Sequence, residues 1–167
     1  YNNLGVVLNE QMKFEEATVH LKNAVKLQAN YAEAHNNLGN SLSGLNHFRE
    51  ADIHYKEAIR LKPGYPEAHN NLANSLSKKS NLDEAIIHYK KATQLNPEYH
   101  EAYFNLGVTF NKRNDSEQAI RHLEEAIKLK PNFAEAHVAL GNILFLKNNF
   151  KTALYHFETT LKIDPNN

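Results

Sequence analysis

The chain has 167 residues, and its 19 basic and 19 acidic residues give a formal net charge of zero. No overall field therefore attracts nucleic acid or an anionic membrane surface. The sequence has no cysteine, which excludes disulfide bonds, thiolate metal sites and a cysteine nucleophile. Its longest apolar run, residues 143–146, is far shorter than the roughly 20 residues of a membrane helix. We expect a soluble protein of the cytoplasm or nucleus, with no nucleic-acid partner and no membrane insertion.

A repeat of 34 residues runs through the whole sequence. It predicts a single array with a partial unit at residues 1–31 and full units at residues 32–65, 66–99, 100–133 and 134–167. The eighth position of the unit is always small, and the twentieth is always alanine. These two columns are Gly5, Gly39, Ala73, Gly107 and Gly141, and Ala17, Ala51, Ala85, Ala119 and Ala153. Neither end shows a polar capping helix, so we expect a piece of a longer array.

Each unit is predicted to hold two helices, because apolar residues recur at steps of three and four. The buried stripes predicted for residues 32–65 are Ala34, His35, Leu38, Gly39 and Leu42 in a first helix, helix A, and Phe48, Ala51, Tyr55, Ala58, Ile59 and Leu61 in a second, helix B. The turn between them is rich in asparagine, which tolerates the left-handed conformation that ends a helix. Proline closes helix B in the four full units, at Pro63, Pro97, Pro131 and Pro165.

These columns resemble the tetratricopeptide repeat, or TPR, over the whole chain. Ala29 in place of proline and Thr160 in place of alanine are the main departures. The resemblance implies an all-α fold, a right-handed TPR superhelix (α-solenoid) of antiparallel helix pairs. It also implies an interaction scaffold that binds a protein or peptide partner in a concave groove lined by the A helices.

Asparagine dominates the columns that should line this groove. The sixth position holds Asn3, Asn37, Asn71 and Asn105 before Ala139 interrupts the series, and the ninth holds Val6, Asn40, Asn74, Val108 and Asn142. The fifth position, with Asn36, Asn70 and Phe104 among its members, is predicted to line the groove as well. An asparagine side chain offers donors and an acceptor that complement a peptide group. The columns therefore predict an asparagine ladder that holds an extended peptide by its backbone, while a solvated helix face with no ligand is the open alternative.

The segments His35–Asn40 and His69–Asn74, His-Asn-Asn-Leu-Gly-Asn and His-Asn-Asn-Leu-Ala-Asn, resemble the TPR region of O-linked N-acetylglucosamine transferases. That resemblance implies a substrate-recognition arm, with Asn3, Asn37, Asn71 and Asn105 gripping the substrate backbone. The glycosyltransferase domain is not in this sequence, so no catalytic residue and no cofactor are predicted. We expect a chain that is not an enzyme by itself.

The last two units carry apolar residues in the same lining columns. Phe104, Val108 and Val138 are joined there by Phe145 and Leu146. Such a patch suits a hydrophobic anchor of a partner, or it packs against a neighbouring repeat. A third possibility is a self-assembling module, a homo-oligomer formed through the uncapped repeat ends.

Histidine forms two regular columns, and both are predicted to be structural. His20, His54, His88, His122 and His156 lie one per repeat on helix B, and His35, His69 and His137 share a column on helix A with Tyr1 and Tyr103. Residues one repeat apart are separated by about 10 Å, the spacing of packed helices. A zinc ion binds its ligands at about 2 Å, so no single ion joins a column and no metal site is predicted.

Overall fold

A computed structural model describes residues 1–165 of the chain. This part of the chain contains ten helices and no strand. The helices are α1 (Asn2–Glu10), α2 (Phe14–Leu27), α3 (Ala32–Gly44), α4 (Phe48–Leu61), α5 (Pro66–Lys78), α6 (Leu82–Leu95), α7 (His100–Lys112), α8 (Ser116–Leu129), α9 (Ala134–Leu146) and α10 (Phe150–Ile163). Odd-numbered helices are the predicted A helices and even-numbered helices are the B helices. The expectation of an all-helical fold is confirmed.

The chain divides into two compact units, Tyr1–Leu95 and Asn96–Asn167. In the first, each A helix packs against the B helix that follows it, and the next A helix packs on both members of the pair. The helices α1, α3 and α5 are therefore consecutive neighbours in one layer. The second unit has the same contacts among α7, α8, α9 and α10. Each unit has its own A-helix face, which is the outward surface of α1, α3 and α5 in the first unit and of α7 and α9 in the second.

In four of the five repeats, the glycine at the eighth position lies directly against a side chain of helix B. A Cβ atom added at Gly39 would lie 2.5 Å from Cε1 of Tyr55. At Gly107 it would lie 2.8 Å from Leu123 Cγ and 3.1 Å from the carbonyl oxygen of Ala119. The small column of the sequence is thus imposed by a large, fully packed side chain of helix B.

Left-handed residues join helix A to helix B in every repeat. Three of them are the expected asparagines, Asn46, Asn114 and Asn148, with φ of 62°, 61° and 60°. In the other two repeats Met12 and Ser80 take this conformation, with φ of 59° and 61°. The backbone requirement is therefore constant while the residue type varies, which the asparagine rule alone did not predict.

A buried carboxylate between α4 and α5 was not predicted. Asp52 is 7% exposed, and its Oδ1 accepts a hydrogen bond of 2.5 Å from Ser75 Oγ. Its second oxygen pairs with the Lys79 ammonium group. The charge is therefore matched at the place where one repeat stacks on the next.

Substitutions at Gly39 should separate a tolerated methyl group from an excluded larger side chain. Gly39→Ala is expected to change the free energy of unfolding by less than about 1 kcal/mol, because the gain in helix propensity offsets a small shift of the Tyr55 ring. Ala73 holds this position in the third repeat, where the equivalent Tyr89 remains 2% exposed. Gly39→Leu should destabilise by about 2–3 kcal/mol. Urea unfolding followed by circular dichroism measures both, and equal stability of the two variants would contradict the close packing.

Candidate functional site: the A-helix face

Asparagines of neighbouring A helices hydrogen-bond to each other. Asn37 Nδ2 donates to Asn2 Oδ1 at 3.0 Å, and Asn71 Nδ2 donates to Asn36 Oδ1 at 3.1 Å. These bonds join the sixth position of one repeat to the fifth position of the repeat before it. Asn36 is only 4% exposed and Asn70 only 5% exposed. The fifth column does not line the face in α3 and α5, contrary to the sequence-based expectation, because its amides lie between stacked helices.

The fifth-position asparagines are also tied to a tyrosine. Asn2 Nδ2 donates to Tyr31 Oη at 3.2 Å. The Tyr65 phenol forms the corresponding contact with the Asn36 side chain, while burial, followed by the charge of Glu67, raises the pKa of Tyr65 to about 12. This hydroxyl therefore stays neutral at physiological pH. The asparagine at the fifth position thus has a structural role in the first two repeats.

An aromatic pair replaces this polar pair in the second unit. Phe104 stands at the fifth position, and its ring centroid lies 5.0 Å from that of Phe133, which takes the place of the tyrosine. Phe104 is half-buried and packs against the cluster of Phe133, Ala126 and Ala136. Phe104 is therefore in part a core residue, which the interpretation as an open apolar anchor did not include. Because phenylalanine has no acceptor, an asparagine at Ala139 would lack the partner that Asn37 and Asn71 have.

The ninth-position asparagines accept hydrogen bonds from helix B. Tyr55 Oη donates to Asn40 Oδ1 at 3.0 Å, and Tyr89 Oη donates to Asn74 Oδ1 at 2.6 Å. Burial raises the pKa of the Tyr55 phenol, which keeps that hydroxyl a donor. The repeats with leucine in place of this tyrosine have valine at the ninth position. These are Leu21 with Val6 and Leu123 with Val108.

Each of these four asparagines keeps one polar group that no other residue within 1–165 occupies. In Asn37 and Asn71 that group is the acceptor Oδ1, because Nδ2 is bonded to the preceding helix. In Asn40 and Asn74 it is the donor Nδ2, because Oδ1 accepts from tyrosine. All four side chains are partly exposed. Partly exposed side chains three residues apart on α3 therefore leave one acceptor and one donor available, and the same holds for α5.

The remaining candidate residues differ in their exposure. Asn3 on α1 and Asn142 on α9 are exposed, and neither bonds to another side chain in the described part of the molecule. Asn105 and Val108 on α7 are half-buried, and the Asn105 carbonyl accepts a hydrogen bond of 2.7 Å from Thr109 Oγ1. The structure thus brings Asn37, Asn40, Asn71 and Asn74 together on adjacent helices of the first unit. Asn105, Phe104, Val108 and Asn142 belong to the second unit.

Residues 1–165 contain no group of three or more histidine, cysteine, aspartate or glutamate side chains arranged to hold a metal ion. None of the helices in this part of the chain is both long enough and apolar enough to span a membrane.

The helix pairs, the closely packed small column and the polar A-helix face define an all-helical repeat protein. Four family profiles described as tetratricopeptide repeat or TPR repeat match residues 5–46, 32–65, 65–132 and 104–167. The chain belongs to the tetratricopeptide repeat family, and its fold is the TPR α-solenoid. A comparison with curated protein sequences gives no significant match.

Solved TPR structures share this fold at low sequence identity. A MamA fragment from Desulfovibrio magneticus is 23% identical, with a TM-score of 0.86, over 99% of this chain and 93% of that one. PilF of Pseudomonas aeruginosa is 22% identical, with a TM-score of 0.94, over 100% of this chain and 76% of that one. YrrB, described as a TPR protein with an unusual peptide-binding site, is 22% identical, with a TM-score of 0.77, over 99% and 86% of the two chains.

The hydrogen bond between neighbouring A helices should make a measurable contribution to stability. Asn71→Ala leaves the buried Asn36 Oδ1 without its donor, so we expect a loss of about 1–2 kcal/mol in the free energy of unfolding. Asn3→Ala, in the same column, is the matched control, because the exposed Asn3 side chain has no such bond. The control should be neutral or slightly stabilising, since alanine is the better helix former. Chemical denaturation that shows no difference between the two variants would contradict a structural role of the column.

Proposed function

We propose that the protein is a non-catalytic interaction scaffold that binds an extended segment of a partner protein along the A-helix face. Asn37, Asn40, Asn71 and Asn74 hold the backbone of that segment. Asn3 extends this polar surface within the first unit. In the second unit, taken by itself, the corresponding candidate residues are Asn105, Asn142, Phe104 and Val108. Binding a segment of a partner protein is the function expected of an interaction module of the TPR family.

The observation that carries the proposal is the pair of unoccupied groups on each of α3 and α5. A peptide group presents one N–H donor and one C=O acceptor. The outward Oδ1 at the sixth position can accept a hydrogen bond from the peptide N–H. The outward Nδ2 at the ninth position can donate one to the peptide C=O. Since neither contact involves a side chain of the ligand, such a surface favours extended backbone without selecting a sequence.

The preorganisation of these asparagines supports the same conclusion. Each amide is already held at one end by a bond to the protein. Its rotamer is therefore restrained before a ligand arrives, which lowers the conformational entropy lost on binding. Neighbouring helices lie about 8–10 Å apart, and an extended peptide rises about 3.3 Å per residue. One repeat would thus correspond to roughly three residues of the ligand.

A variant that changes only the outward group tests this function. Asn40→Asp with Asn74→Asp keeps an oxygen to accept from Tyr55 and Tyr89, but it replaces the outward donor with a charged acceptor that repels peptide carbonyls. We expect affinity for a panel of unrelated unstructured peptides to fall at least tenfold, measured by fluorescence anisotropy, with no loss of helicity.

The matched control is Asn23→Asp with Asn30→Asp, which adds the same charge at two exposed positions outside the A-helix face. It should leave peptide affinity unchanged. If both double variants bind as the unmodified protein does, the asparagines have a purely structural role. If both lose affinity equally, net charge rather than the asparagine pairs controls binding.

A second candidate function is self-assembly, favoured by the apolar outer faces of α1 and α10. Inside the first unit, Asp52 of α4 meets Ser75 of α5 at the interface between repeats. Leu154 of α10, at the repeat position of Asp52, is 57% exposed. Val7 of α1, at the repeat position of Ser75, is 47% exposed. A second copy of this chain, placed with its α1 on α10, would bring two apolar side chains together where the internal interface has a polar pair.

Light scattering over a range of protein concentrations tests this assembly. If α10 binds α1 of another copy, the mass should rise with concentration, and Leu154→Asp should restore the monomer. A monomeric mass at every concentration would contradict self-assembly and would leave the peptide-binding proposal unaffected.

A further inference from the structure

Three repeats contain a histidine pair that joins helix A to helix B. The Nδ1 atoms of His35 and His54 are 3.1 Å apart, and the pair His69 and His88 has the same contact at 3.0 Å. In the fifth repeat the Nδ1 atoms of His137 and His156 are 2.9 Å apart. The sequence placed these residues in two separate columns, each with a structural role, but the direct bond between the columns was not predicted.

The inner histidine of each pair has a fixed tautomer. Its Nε2 lies within hydrogen-bond distance of a backbone carbonyl oxygen in the segment before helix A. The distances are 3.1 Å for His35 to Ala29, 3.2 Å for His69 to Pro63 and 3.0 Å for His137 to Pro131. A carbonyl oxygen only accepts, so Nε2 carries the hydrogen. In a neutral ring Nδ1 is then the acceptor, and the outer histidine must donate its own Nδ1–H to it.

This arrangement limits each folded pair to one added proton. The first proton can bind Nε2 of the outer ring without changing the bond between the rings. A second proton would have to bind Nδ1 of the inner ring, where two N–H groups would face each other at about 3 Å with a positive charge on each ring. Both histidines of the unfolded chain are free to titrate near their ordinary pKa of about 6.5.

The surroundings of the pairs act in the same direction. Burial is the main cause that lowers the pKa of His54, His69, His88 and His156. Several charged and titratable groups face the pairs. They are Lys22, Glu50 and Glu57 at His54 with its partner His35, Lys91 at His69, Lys56 and Glu84 at His88 with its partner His69, Lys90 in the cavity lined by His69 and His88, and His137 and Tyr155 at His156. The glutamates partly offset burial, while the lysines add to it.

Two repeats lack the pair. Tyr1 and Tyr103 take the place of the inner histidine, and their ring centroids lie 6.2 Å from those of His20 and His122. The fourth repeat, α7 and α8, thus provides an internal control with the same helix pair and no histidine at the inner position.

We propose that the histidine pairs make the second, third and fifth repeats acid-labile, so that helices A and B of these repeats separate more readily below neutral pH while the fourth repeat does not. The sign follows from proton binding. Below about pH 6.5 the unfolded repeat binds two protons at these sites and the folded repeat binds at most one, so the stability of the repeat falls as the pH falls. The contribution to stability is complete above the ordinary histidine pKa of the unfolded chain. It is lost as the pH falls through the lowered pKa values of His54, His69, His88 and His156.

A consequence for binding rests on the proposed function. Asn37 lies two residues after His35 on α3, and Asn71 lies two residues after His69 on α5. Opening of these repeats would disturb the peptide-binding pairs, so a bound segment would be released on acidification.

Hydrogen exchange of the free protein tests the acid lability without any ligand. Exchange is measured at pH 7.5 and pH 5.5 and corrected for the intrinsic pH dependence of amide exchange. Each folded pair binds one proton fewer than the unfolded chain. Between pH 7.5 and pH 5.5, the equilibrium constant for opening its two helices should therefore increase about tenfold more than that of α7 and α8. Equal changes in all repeats would overturn the proposal.

The triple substitution His35→Tyr, His69→Tyr and His137→Tyr installs the residue that the first and fourth repeats have at this position. It should abolish the difference between repeats, and His47→Gln, at an exposed histidine outside the pairs, should retain it. If the triple variant is not helical, His69→Tyr alone gives the same test within the third repeat. Acid lability that persists in the tyrosine variants would contradict the role of the pairs. Because no peptide is present, the result does not depend on whether the A-helix face binds one.

Discussion

The close approach of helices A and B at the eighth position of each repeat is the constraint on which the other features depend. A Cβ atom at Gly39 would lie 2.5 Å from the Tyr55 ring, so a side chain larger than a methyl group does not fit beside it. With the two helices this close, the tyrosine hydroxyl reaches across to Asn40 on the neighbouring helix. The polar residue at the ninth position therefore follows from core packing. When helix B fills the core with a tyrosine, the residue opposite it on helix A must accept a hydrogen bond from the tyrosine hydroxyl.

On the A-helix face, the asparagines that we propose to bind a ligand also stabilise the structure. Every asparagine of helices α3 and α5 interacts with another residue of the protein. Only the remaining half of each amide is available to a ligand. The structural and the functional explanations of the asparagine columns are therefore compatible, and the outward groups of Asn37, Asn40, Asn71 and Asn74 are the ones to which the binding proposal applies.

The sequence predicted the fold well because the repeat states each packing requirement five times. The small column and the alanine column are buried, and the helical period correctly predicted the helix pairs. Asparagine takes the left-handed conformation in the turn between helices A and B in three of the five repeats. Contacts that depend on pairs of columns were missed. Asparagine at the ninth position accompanies tyrosine on helix B in two repeats, and valine accompanies leucine in two others, a correlation visible in the sequence once the contact is known.

The missed features share a physical origin. The burial of Asn36, the carboxylate of Asp52 and the histidine pairs all depend on which side chains meet across helices. A periodicity shows which face of a helix is buried, but it does not show which polar atoms come within 3 Å of each other. The constant separation of 19 residues between His35 and His54, His69 and His88, and His137 and His156 was the available signal.

The side-chain amide spectrum of the isotope-labelled protein, recorded with and without saturating peptide, tests the role of the asparagines on the A-helix face most directly. The Nδ2 protons of Asn37 and Asn71 should be protected from exchange in the free protein, and the Nδ2 resonances of Asn40 and Asn74 should shift when peptide is added. Binding that leaves Asn40 and Asn74 unchanged, or that shifts only residues outside the A-helix face, would contradict this role.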